Sequence, residues 1–185
     1  MPQVLIFIDE TWAKTNMTRL RGRAPRGERL WAKVPHGHWK TTTLIGALGV
    51  EGIRCATVVD GAVNAARALG ADLFEAFVTQ VLVPELRTGD VVVMDNLSSH
   101  KRESIRDHIE SVGAELRLLP PYSPDMNPIE MIFSKIKQLL RSVAWDPQGA
   151  AHRTREALWG SMQKVLDAIT ASDALNCFQH AGYSL

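Results

Sequence analysis

The chain has 185 residues, 45% hydrophobic and 22% charged, the proportions of an ordinary soluble protein with one domain large enough for a real core. No apolar run reaches the ~18–20 residues of a membrane span, and the N-terminus enters Val4–Ile8 without a basic region or cleavage site, so neither a membrane segment nor a signal peptide is expected. The net charge of +1 hides an asymmetry: residues 12–40 carry +7 and the remainder −6, a local basic density suited to a polyanionic partner. Cys55 and Cys177 lie far apart without metal-ligand spacing and read as small core residues of a reducing compartment, not as a disulfide.

In chain order, Val4–Asp9 reads as a buried strand, because its apolar run is short and partly β-branched. Residues 12–38, rich in Arg, Gly, Pro and Thr, form a long loop or extended arm with a short strand at Leu30–Val34; connections of this length are usually functional. Thr41–Val50 and Arg54–Val59 are strands joined by the turn Glu51-Gly52, hence antiparallel. Asp72–Leu86 carries a helical apolar stripe with Asp72 as its cap. Val91–Met94 is the fourth strand, and Lys101–Val112 a helix ending at Gly113. Glu115–Leu119 is the fifth strand. Pro120–Pro128 holds four prolines and excludes helix or central strand. Ile129–Val143 is an amphipathic helix, and a last helical pair covers about 152–170 and 172–181. Antiparallel connections followed by strand–helix–strand crossovers predict an α/β fold, a mixed five-stranded sheet with helices on both faces.

Three carboxylates stand at the ends of core elements: Asp9 closing the first strand, Asp95 closing the fourth, and Glu130 opening a helix 35 positions after Asp95. Open α/β sheets place ligand crevices at strand C-termini. Two such carboxylates on neighbouring strands repel unless a cation neutralises them. Two Mg²⁺ ions about 3.5–4 Å apart would bind such a trio and serve in-line phosphoryl transfer. Each residue also has a plainer explanation. An Asp at a strand end commonly forms a turn. With Asn127 as N-cap and Pro128 at the first helical position, Glu130 falls where a capping box places a carboxylate.

Three segments carry a resemblance: Phe7-Ile8-Asp9-Glu10-Thr11, Asp95-Asn96-Leu97-Ser98-Ser99-His100, and Pro121-Tyr122-Ser123-Pro124-Asp125-Met126-Asn127-Pro128-Ile129-Glu130. With them the chain resembles the catalytic domain of DDE transposases of the mariner/insertion-sequence-630 superfamily. Weaker matches are Arg23–Arg29 and His180-Ala181-Gly182-Tyr183, so the resemblance spans nearly all of residues 1–185. It implies a ribonuclease-H-like fold in one catalytic domain and DNA strand cleavage followed by strand transfer. It assigns Asp9, Asp95 and Glu130 to the metal positions, with Mg²⁺ or Mn²⁺ as the cofactor. Many relatives carry Trp where this chain has Phe133, which still fills an apolar slot. Relatives also carry an N-terminal helix-turn-helix region, which is not expected here; an upstream reading-frame product could supply it. The family further implies a homodimer on paired DNA ends, insertion at a TA dinucleotide, and a bacterial, cytoplasmic setting.

Around the trio, Arg19, Arg21, Arg23, Arg26 and Arg29 are the expected DNA-phosphate contacts, with Trp12, Trp31 and Trp39 interleaved; the plain alternative is a solvated charged loop. Lys137, seven residues after Glu130, shares its helix face and could touch the DNA backbone. Asn96 could orient a carboxylate or end the strand as a turn residue, and His100 could meet a phosphate or serve as a surface residue. Glu10 should point to the opposite face if the strand continues, which argues against it as a ligand. Two further functions fit the same acids: a ribonuclease-H-like nuclease without strand transfer, and a non-catalytic DNA-binding module derived from a transposase.

Overall fold

The computed structural model describes residues 4–31, 38–61, 68–96, 102–143 and 154–184. The strands are β1 (Leu5–Lys14), β2 (Thr41–Gly49), β3 (Gly52–Asp60), β4 (Val91–Met94) and β5 (Glu115–Leu118). They form one five-stranded sheet in the order β3-β2-β1-β4-β5. β1–β2 and β2–β3 are antiparallel, whereas β1–β4 and β4–β5 are parallel. The mixed sheet follows from connection length: a tight turn reverses the chain after β2, while helices α1 (Ala68–Phe77) and α2 (Glu103–Ser111) carry the crossovers. α3 (Pro128–Val143), α4 (Arg155–Asp167) and α5 (Ala171–His180) complete the fold.

Strand alternation divides the core. Phe7, Leu44, Leu48 and Val93 face α3, α4 and α5, whereas Ile6, Ile8, Ile45, Val92 and Met94 face α1 and α2. α3 lies over the middle of the sheet with Ile129, Ile132, Phe133, Ile136 and Leu140 all buried. Phe133 fills the apolar slot expected of it, its ring over Gly46 of β2. The helices on both faces are therefore those the apolar patterns demanded. No described helix is long and apolar enough to cross a membrane.

Several expected boundaries move for identifiable reasons. β1 does not stop at Asp9. Its parallel ladder with β4 ends at Ile8↔Met94, but its antiparallel ladder with β2 runs on to Lys14↔Thr41. α1 starts at Ala68, so Asp72 is not its cap; the Asp72 carboxylate instead accepts a hydrogen bond of 2.7 Å from Arg102. The helix continues through a π-helical turn at Val78–Leu82 and ends in a 3-10 turn at Val83–Glu85, where Pro84 has no N–H to extend it. Of the short strand expected at Leu30–Val34, Leu30 and Trp31 are irregular and exposed, and the remainder lies outside the described residues. Gly113 follows α2 at φ 81°, the left-handed conformation expected of it, and a Cβ there would lie 2.9 Å from Thr88.

Both cysteines are free and half-buried. Burial, with the Glu85 charge adding to it, pushes the Cys55 thiol up to about 11, so it stays protonated and unreactive at neutral pH.

α5 is tied to α3 through Asp173. Its carboxylate bonds Lys135 of α3 and closes a capping box with Thr170. Lys135 first, then the Thr170 bonds, lowers the Asp173 carboxyl from 3.8 to about 2. A carboxyl depressed in the folded state stabilises it above its unfolded pKa and loses that contribution as pH falls through the folded one. Lys135→Met should therefore lower Tm at pH 7, and its gap from the wild type should close between about pH 4 and pH 2. Thermal melts across that range check this; a constant gap would assign the loss to packing instead.

Candidate active site

The register of the sheet assembles the site. Asp9 and Asp95 each stand one position beyond the last parallel pair, Ile8↔Met94. Alternation from Phe7 and Val93 turns both toward the α3 face, on strands about 4.8 Å apart. Glu10 falls on the other face by the same alternation, as expected from the sequence, although it borders the rim of the site.

Asp9 is 7% exposed and held at both carboxylate oxygens. Oδ1 accepts the Glu10 N–H at 2.7 Å, and Oδ2 accepts Asn127 Nδ2 at 2.8 Å. Asn127 is itself buried, and its Oδ1 has no hydrogen-bond partner among the described residues. It stands at the N-cap position of α3, yet its side chain reaches 118 residues back in sequence instead of capping the helix. The capping box that would explain Glu130 structurally thus lacks its N-cap half. Glu130 is exposed in the first turn of α3.

The proline-rich segment aims these groups. It leaves β5 with Leu119 N–H donating to Met94 O at 2.8 Å, and ends in a 3-10 turn at Pro124–Met126. Tyr183, near the C-terminus, donates its hydroxyl to Met126 O at 2.9 Å and packs edge-on against Phe7 at 5.0 Å. The weakly matching C-terminal segment therefore braces the loop that carries Asn127.

Asp9, Asp95 and Glu130 all line two clefts, of about 310 Å³ and 580 Å³. The first is walled by the proline-rich segment and by Asn96, whose Oδ1 is also buried with no partner among the described residues. The second is edged by Lys14, Lys137 and Arg141. A third cleft of about 580 Å³ shares Arg141 and brings Arg19 and Arg21 of the arm against the C-terminal half of α3. Arg23, Arg26 and Arg29 are exposed and border none of the three; Arg29 instead lies over the Trp31 ring at 4.7 Å. His100 lies outside the described residues.

Asp9, Asp95 and Glu130 offer carboxylate oxygens to both clefts, the donors that hard divalent cations require. Among the described residues, no three carboxylate, imidazole or thiol groups converge closely enough to hold an ion. The chemistry of the carboxylates nonetheless fits Mg²⁺ or Mn²⁺.

The sequence reading missed Lys14, Arg141, Asn127 as a partner of Asp9, and Tyr122 as a wall of the first cleft. For Arg141 a signal existed: it lies four residues after Lys137, on the same helix face. The direction of the Asn127 side chain had none.

A mixed sheet in this order, with helices on both faces and acids beyond its central parallel strands, is a ribonuclease-H-like fold. The chain belongs to the DDE superfamily endonuclease family, whose sequence profile matches residues 4–146. Solved structures share the fold. The paired-end complex of Mos1 mariner transposase with Mn is similar at 20% identity and TM-score 0.60, over 95% of this chain and 51% of that one. The Mos1 strand transfer complex is similar at 19% identity and TM-score 0.65, over 98% and 55%. The chain spans about half the length of these proteins. No curated protein matches the sequence.

Proposed function

We propose that the chain is a transposase catalytic domain that cleaves DNA strands and joins them to a target, using divalent metal held by Asp9, Asp95 and Glu130. The observation that carries this is the placement of all three carboxylates on the same two clefts of a chain in the DDE endonuclease family. Metal bound there, as Mg²⁺ or Mn²⁺ and as two ions, would supply Lewis acidity to the phosphoryl group and activation of the attacking oxygen. Asp9 is pre-oriented by Asn127 and the Glu10 N–H. Lys14, Lys137 and Arg141 bind backbone phosphates beside the acids, and Arg19 and Arg21 extend that track. The Mos1 structures are a paired-end complex and a strand transfer complex, which favours DNA ends as substrate and a dimer as the working unit here.

The test is a supercoiled plasmid carrying the element's ends, with Mg²⁺, Mn²⁺ or EDTA, comparing wild type with Asp95→Asn. Metal-dependent nicking and joined products, both lost in Asp95→Asn, are expected. Nicking without joining would point to a nuclease that only hydrolyses. DNA binding without either reaction would point to a non-catalytic module.

The phosphate track makes a separate prediction. Arg141→Ala and Arg21→Ala should weaken binding to all DNA sequences alike. Each should reduce the slope of log K against log[salt] by about 1 per contact removed. An unchanged slope in Arg141→Ala would remove that residue from the DNA path.

A further inference from the structure

Tyr122 stands apart from every other aromatic side chain described. Its side chain is fully exposed, and it is the one described non-glycine residue with positive φ, at 58°. It walls the cleft that also holds Asp9, Asp95 and Glu130. A bulky residue in the left-handed region is strained, and such strain persists only where the surrounding structure enforces it. The enforcement is visible. Prolines at 120, 121 and 124 restrict the chain on both sides, and the loop's two ends are pinned at Met94 and Tyr183. The backbone is thus restrained in a conformation that sends the ring out into solvent beside the acids.

We propose that Tyr122 is a stacking platform for an unpaired nucleobase next to the reacting phosphate, so that the DNA is locally opened when the carboxylates act on it. This rests on the proposed function of the same site. The occupant follows from the surroundings. An apolar protein partner covering Tyr122 would have to bury the neighbouring carboxylates away from water, at a heavy desolvation cost. A nucleotide instead offers a π-face to the ring, and its backbone can run toward Lys14, Lys137 and Arg141 on the adjoining cleft. Stacking engages the ring face and asks nothing of the phenol hydroxyl, so exchange for Phe leaves the platform in place.

The experiment is a binding cycle in the Asp95→Asn background, which keeps the DNA intact. Duplex ends are compared with ends bearing a mismatch, and with ends bearing an abasic nucleotide, scanned across the positions flanking the scissile phosphate. The parent protein should prefer mismatched over paired ends. Tyr122→Ala should abolish that preference and weaken binding to the mismatched end by roughly 5- to 150-fold. It should cost nothing where the abasic nucleotide removes the stacked base. Tyr122→Phe should bind like the parent. A 2-aminopurine at the same nucleotide should be quenched by the parent and brighten in Tyr122→Ala. Equal losses on abasic and intact DNA, equal losses in Tyr122→Phe and Tyr122→Ala, or no loss at all would overturn the platform while leaving the proposed catalytic function intact. A protein that binds none of these DNAs would overturn both.

Discussion

Glu130→Gln is expected to slow metal-dependent DNA cleavage by about 10³-fold or more while leaving Tm close to that of the wild type. The two halves of this expectation have separate origins. The carboxylate is exposed in the first turn of α3, and the residue that would share a capping box with it is engaged elsewhere, because Asn127 Nδ2 binds Asp9. Glutamine can serve a capping role nearly as well as glutamate, so the exchange removes charge and little else. What remains of Glu130's structural value is its interaction with the helix dipole, about 0.3–1 kcal/mol at an exposed site. A ligand to the metal loses far more, since the negative charge that balances the cations in the transition state is gone. Single-turnover cleavage with Mg²⁺ and with Mn²⁺, read beside thermal melts, separates the two. Wild-type cleavage in the variant would return Glu130 to the helix dipole and leave the site with two acids.

Asn127→Asp should impair the protein in a different way, through Asp9. The substitution removes the amide that donates to Asp9 Oδ2 at 2.8 Å and sets a second buried carboxylate against the first. Either carboxylate then takes up a proton or the fold bears the repulsion, which costs about 3–5 kcal/mol when a buried charge is left uncompensated. Activity should fall about 10- to 100-fold, the usual effect of losing a group that orients a metal ligand. The variant should also be rescued in part by divalent cation, because a cation between the two carboxylates relieves the repulsion. Its Tm should therefore rise more with Mg²⁺ than that of the wild type. Asn127→Leu, of similar size and without charge, should lose activity but show no such added rise. Equal Mg²⁺ responses in both variants would show that the residue only packs the loop.

The three acids stood out as candidates in the sequence because each interrupts an apolar pattern at the end of a core element. Phe7-Ile8 before Asp9 and Val93-Met94 before Asp95 are two-residue alternations of the same phase. Once the two strands pair in register, the acids must fall on one face. The mixed sheet was legible for a similar reason: short turns force antiparallel neighbours, and crossover helices force parallel ones.

Local rules misdirected the reading where a distant partner outbid a near one. Asp72 and Asn127 both carry the side chains that cap helices, but α1 begins at Ala68 and holds Asp72 inside it, whereas Asn127 stands at the start of α3. Arg102 takes the first and Asp9 the second, over 30 and 118 residues of sequence. The end of β1 was misread because Asp9 ends the apolar run, whereas pairing with β2 sustains the strand to Lys14. The five arginines of the arm look alike in sequence, yet Arg19 and Arg21 line the cleft along α3 while Arg29 lies over Trp31, because the chain's path and not its composition decides where each side chain stands.

By itself, then, the amino-acid order determined which residues could form the core, which acids stand outside it, and how neighbouring elements connect, since hydrophobic period and turn length act over a few residues. Only the tertiary structure decided which oxygen of Asp9 meets Asn127, that Tyr183 braces the loop, and that Tyr122 stands bare beside the acids. Those are contacts between segments distant in the chain. Their geometry comes from packing all the elements at once, which no local pattern encodes.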